Sequence, residues 1–106
     1  MTSLVVGTSR TLCLDIKDGG VRLGLVQDRS RVGQIVHLDP AHYWALVSQQ
    51  PQAFGEIGLT HIEKELVITI GKDRWGTLPW IEFVRAVTEV VGGPPERLYP
   101  VRALQQ

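Results

Sequence analysis

Residues 12–25 read LCLDIKDGGVRLGL, and this stretch decides the fold class. Side chains on an extended chain alternate between two faces, so Leu12, Leu14 and Ile16 share one side while Cys13, Asp15 and Lys17 share the other. Asp18-Gly19-Gly20 follows, and glycines accept the positive φ that a tight hairpin turn requires. Val21, Leu23 and Leu25 then alternate against Arg22, Gly24 and Val26. The stretch predicts two half-buried antiparallel strands joined by a turn.

Downstream, residues 28–33 read as a charged loop and Gln34 to Leu38 as a third short strand, β-branched at Ile35 and Val36. A helix is expected next. Asp39 can accept from the free amides of a first helical turn, and Pro40 suits the first position because its missing N–H would go unpaired there. Tyr43, Leu46 and Val47 make an apolar stripe with Trp44 beside it, and Pro51 is expected to end the helix. The first half therefore reads β-β-β-α.

The second half reads in the same way. Ile57 and Leu59 alternate within Phe54 to His61, as Leu66, Ile68 and Ile70 do within Glu65 to Ile70. Residues 71–76 read as a loop before a second helix that starts at Thr77 or Leu78 and runs to Val91, with Pro79 in its first turn. Trp80, Phe83, Val84, Val87 and Val91 form its buried stripe, and Gly92-Gly93-Pro94-Pro95 stops it. A third strand in this half is expected to be shortened or lost.

An internal repeat is expected at an offset of 45 residues, against the alternative that any two amphipathic β-β-α runs align this well by chance. Leu12 and Leu14 match Ile57 and Leu59, Leu23 and Leu25 match Ile68 and Ile70, and Asp28-Arg29 matches Asp73-Arg74. After a six-residue deletion Pro40 falls on Pro79 and Trp44 on Phe83. The expected fold is α+β: one antiparallel sheet of five or six strands with two helices on one face, a pseudo-twofold tandem of β-β-(β)-α units. Residues 1–106 are expected to form one compact domain, with repeats at 3–50 and 54–93 and an extended tail at 94–106.

Composition narrows the function classes. With 43% of its 106 residues hydrophobic and 21% charged, the chain is too apolar for disorder. Lys plus Arg equals Asp plus Glu, so no global field draws it to nucleic acid or lipid. Cys13 is the single cysteine, which excludes an internal disulfide. Neither a basic, apolar leader nor an apolar run of about 18 residues is present, so a cytoplasmic protein without a membrane partner is expected.

No catalytic constellation stands out. His37, His42 and His61 are too scattered for ligand spacing, Cys13 reads as a small hydrophobe, and the glycines do not form a phosphate-cradling order. Neither metal nor cofactor is expected, and the chain does not read as an enzyme. The two charged loops are the candidate binding elements: Arg29 and Arg31 in one, Lys72, Arg74 and Trp75 in the other. Trp and Arg anchor protein interfaces, and they also grip phosphates and stack bases. The competing reading has Trp75 folded back over the sheet edge and the arginines paired with Asp28 and Asp73.

Two resemblances attach to these residues. Cys13-Leu14-Asp15-Ile16, then Val26-Gln27-Asp28-Arg29-Ser30-Arg31, then Leu38-Asp39-Pro40-Ala41-His42-Tyr43 resemble the short domain of BldB-type actinobacterial developmental regulators. Arg29 stands as an insertion before Ser30, Asp39 replaces the cap Ser, and Tyr43 takes the Trp position. This resemblance implies transcription-linked work beside a helix-turn-helix regulator. The joint from Val36 to Trp44 also looks like the sheet-to-helix corner of the positive-cofactor-four and Whirly group. That likeness implies single-stranded nucleic-acid binding on a curved antiparallel sheet, in dimers or higher assemblies.

The expected function is a small non-catalytic regulatory or adaptor module that acts through a protein partner or a second copy of itself, as a homodimer. A single-stranded nucleic-acid binder is the alternative, and a small enzyme of unknown type the third reading.

Overall fold

The computed structural model describes residues 2–17 and 20–94. The described residues form eight strands and two helices, arranged as two successive units. The first holds β1 (Thr2–Gly7), β2 (Arg10–Lys17), β3 (Gly20–Gln27), β4 (Ser30–Leu38) and α1 (Pro40–Val47). The second holds β5 (Gln52–Phe54), β6 (Ile57–Ile62), β7 (Glu65–Ile70), β8 (Asp73–Pro79) and α2 (Trp80–Val91). Each unit is an antiparallel meander in strand order, followed by its helix.

The α+β class and the two helices agree with the expectation; the sheet does not. In place of one sheet of five or six strands there are two sheets of four. Three connections account for the difference. Residues 28–33 are a two-residue turn at Asp28-Arg29, both with positive φ, and β4 begins at Ser30. Gly55-Glu56 breaks the expected strand at 54–61 into β5 and β6. Gly71-Lys72 turns the chain so early that the expected loop at 71–76 becomes most of β8. The turn expected at Asp18-Gly19 and the tail from residue 95 lie outside the described residues.

The helices do not share one face of one sheet. α1 packs on β5 and β6, the strands of the other unit. α2 packs on β1, β2 and β3 of the first unit and on β7 and β8 of its own. Leu12, Leu14, Leu23 and Leu25 from the first sheet, Ile57, Leu59, Leu66 and Ile68 from the second, and Phe83 and Leu46 from the helices belong to one core cluster.

Local chemistry sets the helix ends. The Asp39 carboxylate accepts from the His42 backbone N–H at 2.8 Å, with Pro40 in the first turn. α1 stops at Ser48, three residues before Pro51. α2 starts after Pro79, two or three residues later than expected, because β8 uses Thr77 and Leu78 to pair with Val67 and Leu66. Gly92, at φ 83°, closes it with its N–H donated to Thr88.

Phe83 is fully buried in this core. Phe83→Ala is expected to cost about 3–5 kcal/mol, a large share of the stability of a domain this size. A thermal melt of the variant checks it; an unchanged midpoint would mean that the α2 face does not carry the core.

Candidate functional site

The five expected binding residues do not form one surface. Arg29 sits in the β3–β4 turn and Lys72 in the β7–β8 turn, each at the tip of its unit's hairpin. Arg31 lies opposite Val26 on the outer face of the first sheet, and Arg74 lies opposite Thr69 on the outer face of the second. All four cations are exposed. No described carboxylate lies within ion-pair distance of any of them, so Asp28 and Asp73 do not tie them down.

Trp75 belongs elsewhere. It stands in a strand and is only 6% exposed. Gly76 pairs with Ile68 and Arg74 with Thr69, which leaves Trp75 as the extra residue of a bulge. Its indole N–H donates to Gln27 Oε1 at 3.3 Å, and its backbone carbonyl accepts from Arg10 Nη1 at 2.7 Å. The Arg10 guanidinium lies 5.7 Å from the ring centroid. Arg10 and Gln27 face each other across β2 and β3, so this clasp ties the first sheet to β8. Trp75 is a structural anchor in this chain; the fold-back reading is met in its burial but not in the pairing of the arginines with Asp28 and Asp73.

The three histidines occupy three sites. His37 is exposed opposite Arg22, and the His42 ring packs edge-on against Phe54 at 4.6 Å. His61 is buried with Nδ1 2.9 Å from the Leu46 carbonyl oxygen, its ring stacked 4.0 Å from that of Trp80. Among the described residues no three His, Cys, Asp or Glu side chains gather into a metal-binding group. No helix among them is long and apolar enough to cross a membrane.

A surface that the loop reading missed lies on the outer face of the first sheet. Strand register brings Ser3, Cys13 and Gly24 into one row, Val5, Thr11, Val26 and Arg31 into a second, and Asp15, Arg22 and His37 into a third. A groove of about 340 Å³ opens over Gly24, bordered by Cys13, Val26, Ile35, Arg31 and the Asp15–Arg22 pair. That pair is bidentate, at 2.9 and 2.6 Å. The Arg22 hydrogen bonds hold the Asp15 carboxyl below its ordinary value of 3.8; partial desolvation opposes the shift, and the Arg22 charge adds to it. Alternation in residues 12–26 already places Cys13, Gly24 and Val26 outside. What it does not contain is the bulge opposite Gly24, where β4 runs from Val32 to Val36 while β3 runs only from Leu25 to Leu23.

Comparison with protein-family models, curated proteins and solved structures finds no match to any of them. The reading of the site rests on its geometry.

Trp75→Ala is expected to destabilise the fold by about 3–5 kcal/mol. Replacing Arg29, Arg31, Lys72 and Arg74 together by alanine should shift stability by no more than about 1 kcal/mol. Melts of the two variants make the comparison, and iodide should fail to quench Trp75 when Trp44 and Trp80 are replaced by Phe.

Asp15 adds a pH dependence. Its folded value is depressed, so its contribution is present above the unfolded value and is lost as pH falls through the folded one. Asp15→Asn should therefore melt lower than the wild type at neutral pH, and the gap should close below about pH 3.8 in acid melts.

Proposed function

We propose that this chain is a non-catalytic interaction module that binds a protein partner through the outer face of its first sheet. The observation that carries the reading is the groove over Gly24: a mainly apolar floor, arginines at its margin, and, at the β1 end of the row that runs through Thr11 to Val26, a Val5 that is 79% exposed. An apolar centre with a polar, arginine-bearing rim has the make-up of a protein interface. The expected anchor at Trp75 is replaced by this sheet face, since a side chain held by Gln27 and Arg10 has little surface to offer.

A single-stranded nucleic-acid surface would need base-stacking aromatics beside its cations. The outer-face rows of the first sheet carry no Phe, Tyr or Trp and a single small ring, His37: Tyr43, Phe54, Trp75 and Phe83 are buried, and Trp80 stacks on His61. Arg29 and Arg31 are also few for an affinity that rests on neutralising phosphates. The regulatory role that the BldB-type resemblance implies fits a module of this kind, with the partner supplying any contact to DNA.

A photoreactive residue at position 5 tests the reading. In extracts of the native host it should form a protein adduct that the same residue at position 62, on the second sheet, does not form. The adduct should disappear when the groove is filled by Gly24→Val. A single-stranded oligonucleotide should bind no tighter than about 100 µM at physiological salt. Submicromolar, steeply salt-dependent oligonucleotide binding would replace this reading with the nucleic-acid one.

A further inference from the structure

Glycine inside a strand weakens it, and its presence asks for a reason. Three glycines in these sheets have one: Gly33 in β4 lies at φ 70°, and the other two meet close neighbours. A Cβ on Gly58 would stand 2.5 Å from Thr69 Oγ1, and a Cβ on Gly76 would stand 2.7 Å from Val6 Cγ2 and 3.1 Å from the Val6 carbonyl oxygen. Gly24 has neither reason. A Cβ there would meet nothing within 4 Å, and its φ is not in the left-handed region. Nothing inside the fold requires the missing side chain; its consequence lies outside, as the floor of the groove.

Resting on the protein-docking reading above, we propose that this groove holds an extended acidic peptide segment of the partner. One apolar side chain of the segment fills the space over Gly24, and its carboxylates meet Arg31 and Arg29. The length of the surface supports an extended occupant. The groove shares Val26 with a second depression lined by Ser9, Thr11, Asp28 and Arg29, so the path follows β3 from Arg22 to the turn. Seven residues of strand span about 23 Å, the reach of a peptide of similar length.

Charge gives the occupant its sign. Asp15, the carboxylate at one end of the groove, is engaged by Arg22 in both of its oxygens. Arg31 on the opposite wall and Arg29 at the far end have no described carboxylate within ion-pair distance. An incoming carboxylate meets the uncompensated Arg31 guanidinium on that wall, while Asp28 beside Arg29 offsets part of the charge at the far end, and a lysine over the groove meets repulsion from Arg31. Cys13, Val26 and Ile35 supply the apolar wall for a single leucine-sized or aromatic side chain.

The test is a resonance titration of the full chain with seven-residue peptides. Each peptide has a central leucine or serine flanked by glutamates, glutamines or lysines. The leucine–glutamate peptide should bind most tightly and move the amide signals of Gly24, Val26 and Arg31. Gly24→Val should keep its melting midpoint, because the site is open and a β-branched residue suits a strand, while affinity falls at least tenfold. Arg31→Glu should reverse the order, placing lysine flanks ahead of glutamate. Indifference to flank charge, or unchanged binding in Gly24→Val, would overturn the proposal. So would eight-residue oligo-dT moving the same signals at lower concentration, or a dimer in light scattering that Gly24→Val converts to monomer. If no peptide binds while the cross-link at position 5 persists, the acidic peptide is the wrong occupant and the protein-docking reading stands; if both fail, both fall.

Discussion

Everything in this molecule depends on the fact that neither four-stranded meander can cover its own apolar face. Each sheet has one inner face of leucine, isoleucine and valine, and an isolated sheet of this size would leave that face in water. The solution is exchange. α1, which leaves the first sheet, packs on β5 and β6, and α2 reaches back across β1, β2 and β3. Phe83 and Leu46 are buried completely in a common cluster, so the two units share one core.

The bulges follow from this constraint and differ in what they achieve. Of three among the described strands, one leaves Val6 as the extra residue of β1; the other two fall in the fourth strand of a unit, opposite the same part of the third: beside Leu23 and Leu25 in one unit, beside Ile68 and Thr69 in the other. In the second unit the extra residue is Trp75, and the bulge frees its indole to meet Gln27 and Arg10 of the first sheet. In the first unit the extra residues include Gly33, at φ 70°, and Ile35, which helps to wall the groove. Both fourth-strand bulges join the units, since the Gln34 side-chain amide in the first donates to the Phe54 carbonyl at 3.0 Å, and the first also shapes an open face.

Much of this architecture was legible because period-two alternation is a local signal. Leu12, Leu14, Leu23, Leu25, Ile57, Leu59 and Ile68 were all expected inside, and all are buried. The repeat offset of 45 holds for these positions because equivalent strands pair in equivalent register. It fails beyond β7, which is two residues shorter than β3, so the counterpart of the Asp28-Arg29 turn is Gly71-Lys72 rather than Asp73-Arg74. The helix alignment slips too: counted from the first helical residue, Tyr43 corresponds to Phe83, and both are buried. β1 and β8 went unread for different reasons. β1 mixes Leu4, Val5 and Val6 without clean alternation, and the Trp75 bulge breaks the pattern of β8. The site was less legible than the fold, since a charged turn looks the same whether or not its neighbours form a surface.

Net charge was the least informative quantity of all. The chain sums to zero, which at the level of composition argues against any electrostatic partner. The sum conceals a division along the chain: residues 1–38 carry five Lys or Arg and three Asp, while residues 39–94 carry four Lys or Arg and seven Asp or Glu. Fields at a surface fall off within about 10 Å at moderate salt, so a docking partner responds to the nearby side chains and not to the total. On the outer face of the first sheet the one bidentate pair cancels Asp15 against Arg22, Asp28 stands beside Arg29 at the turn, and Arg31 is left to set the local sign. A neutral protein can therefore present a cationic groove, and the pairing of one carboxylate decides that it does.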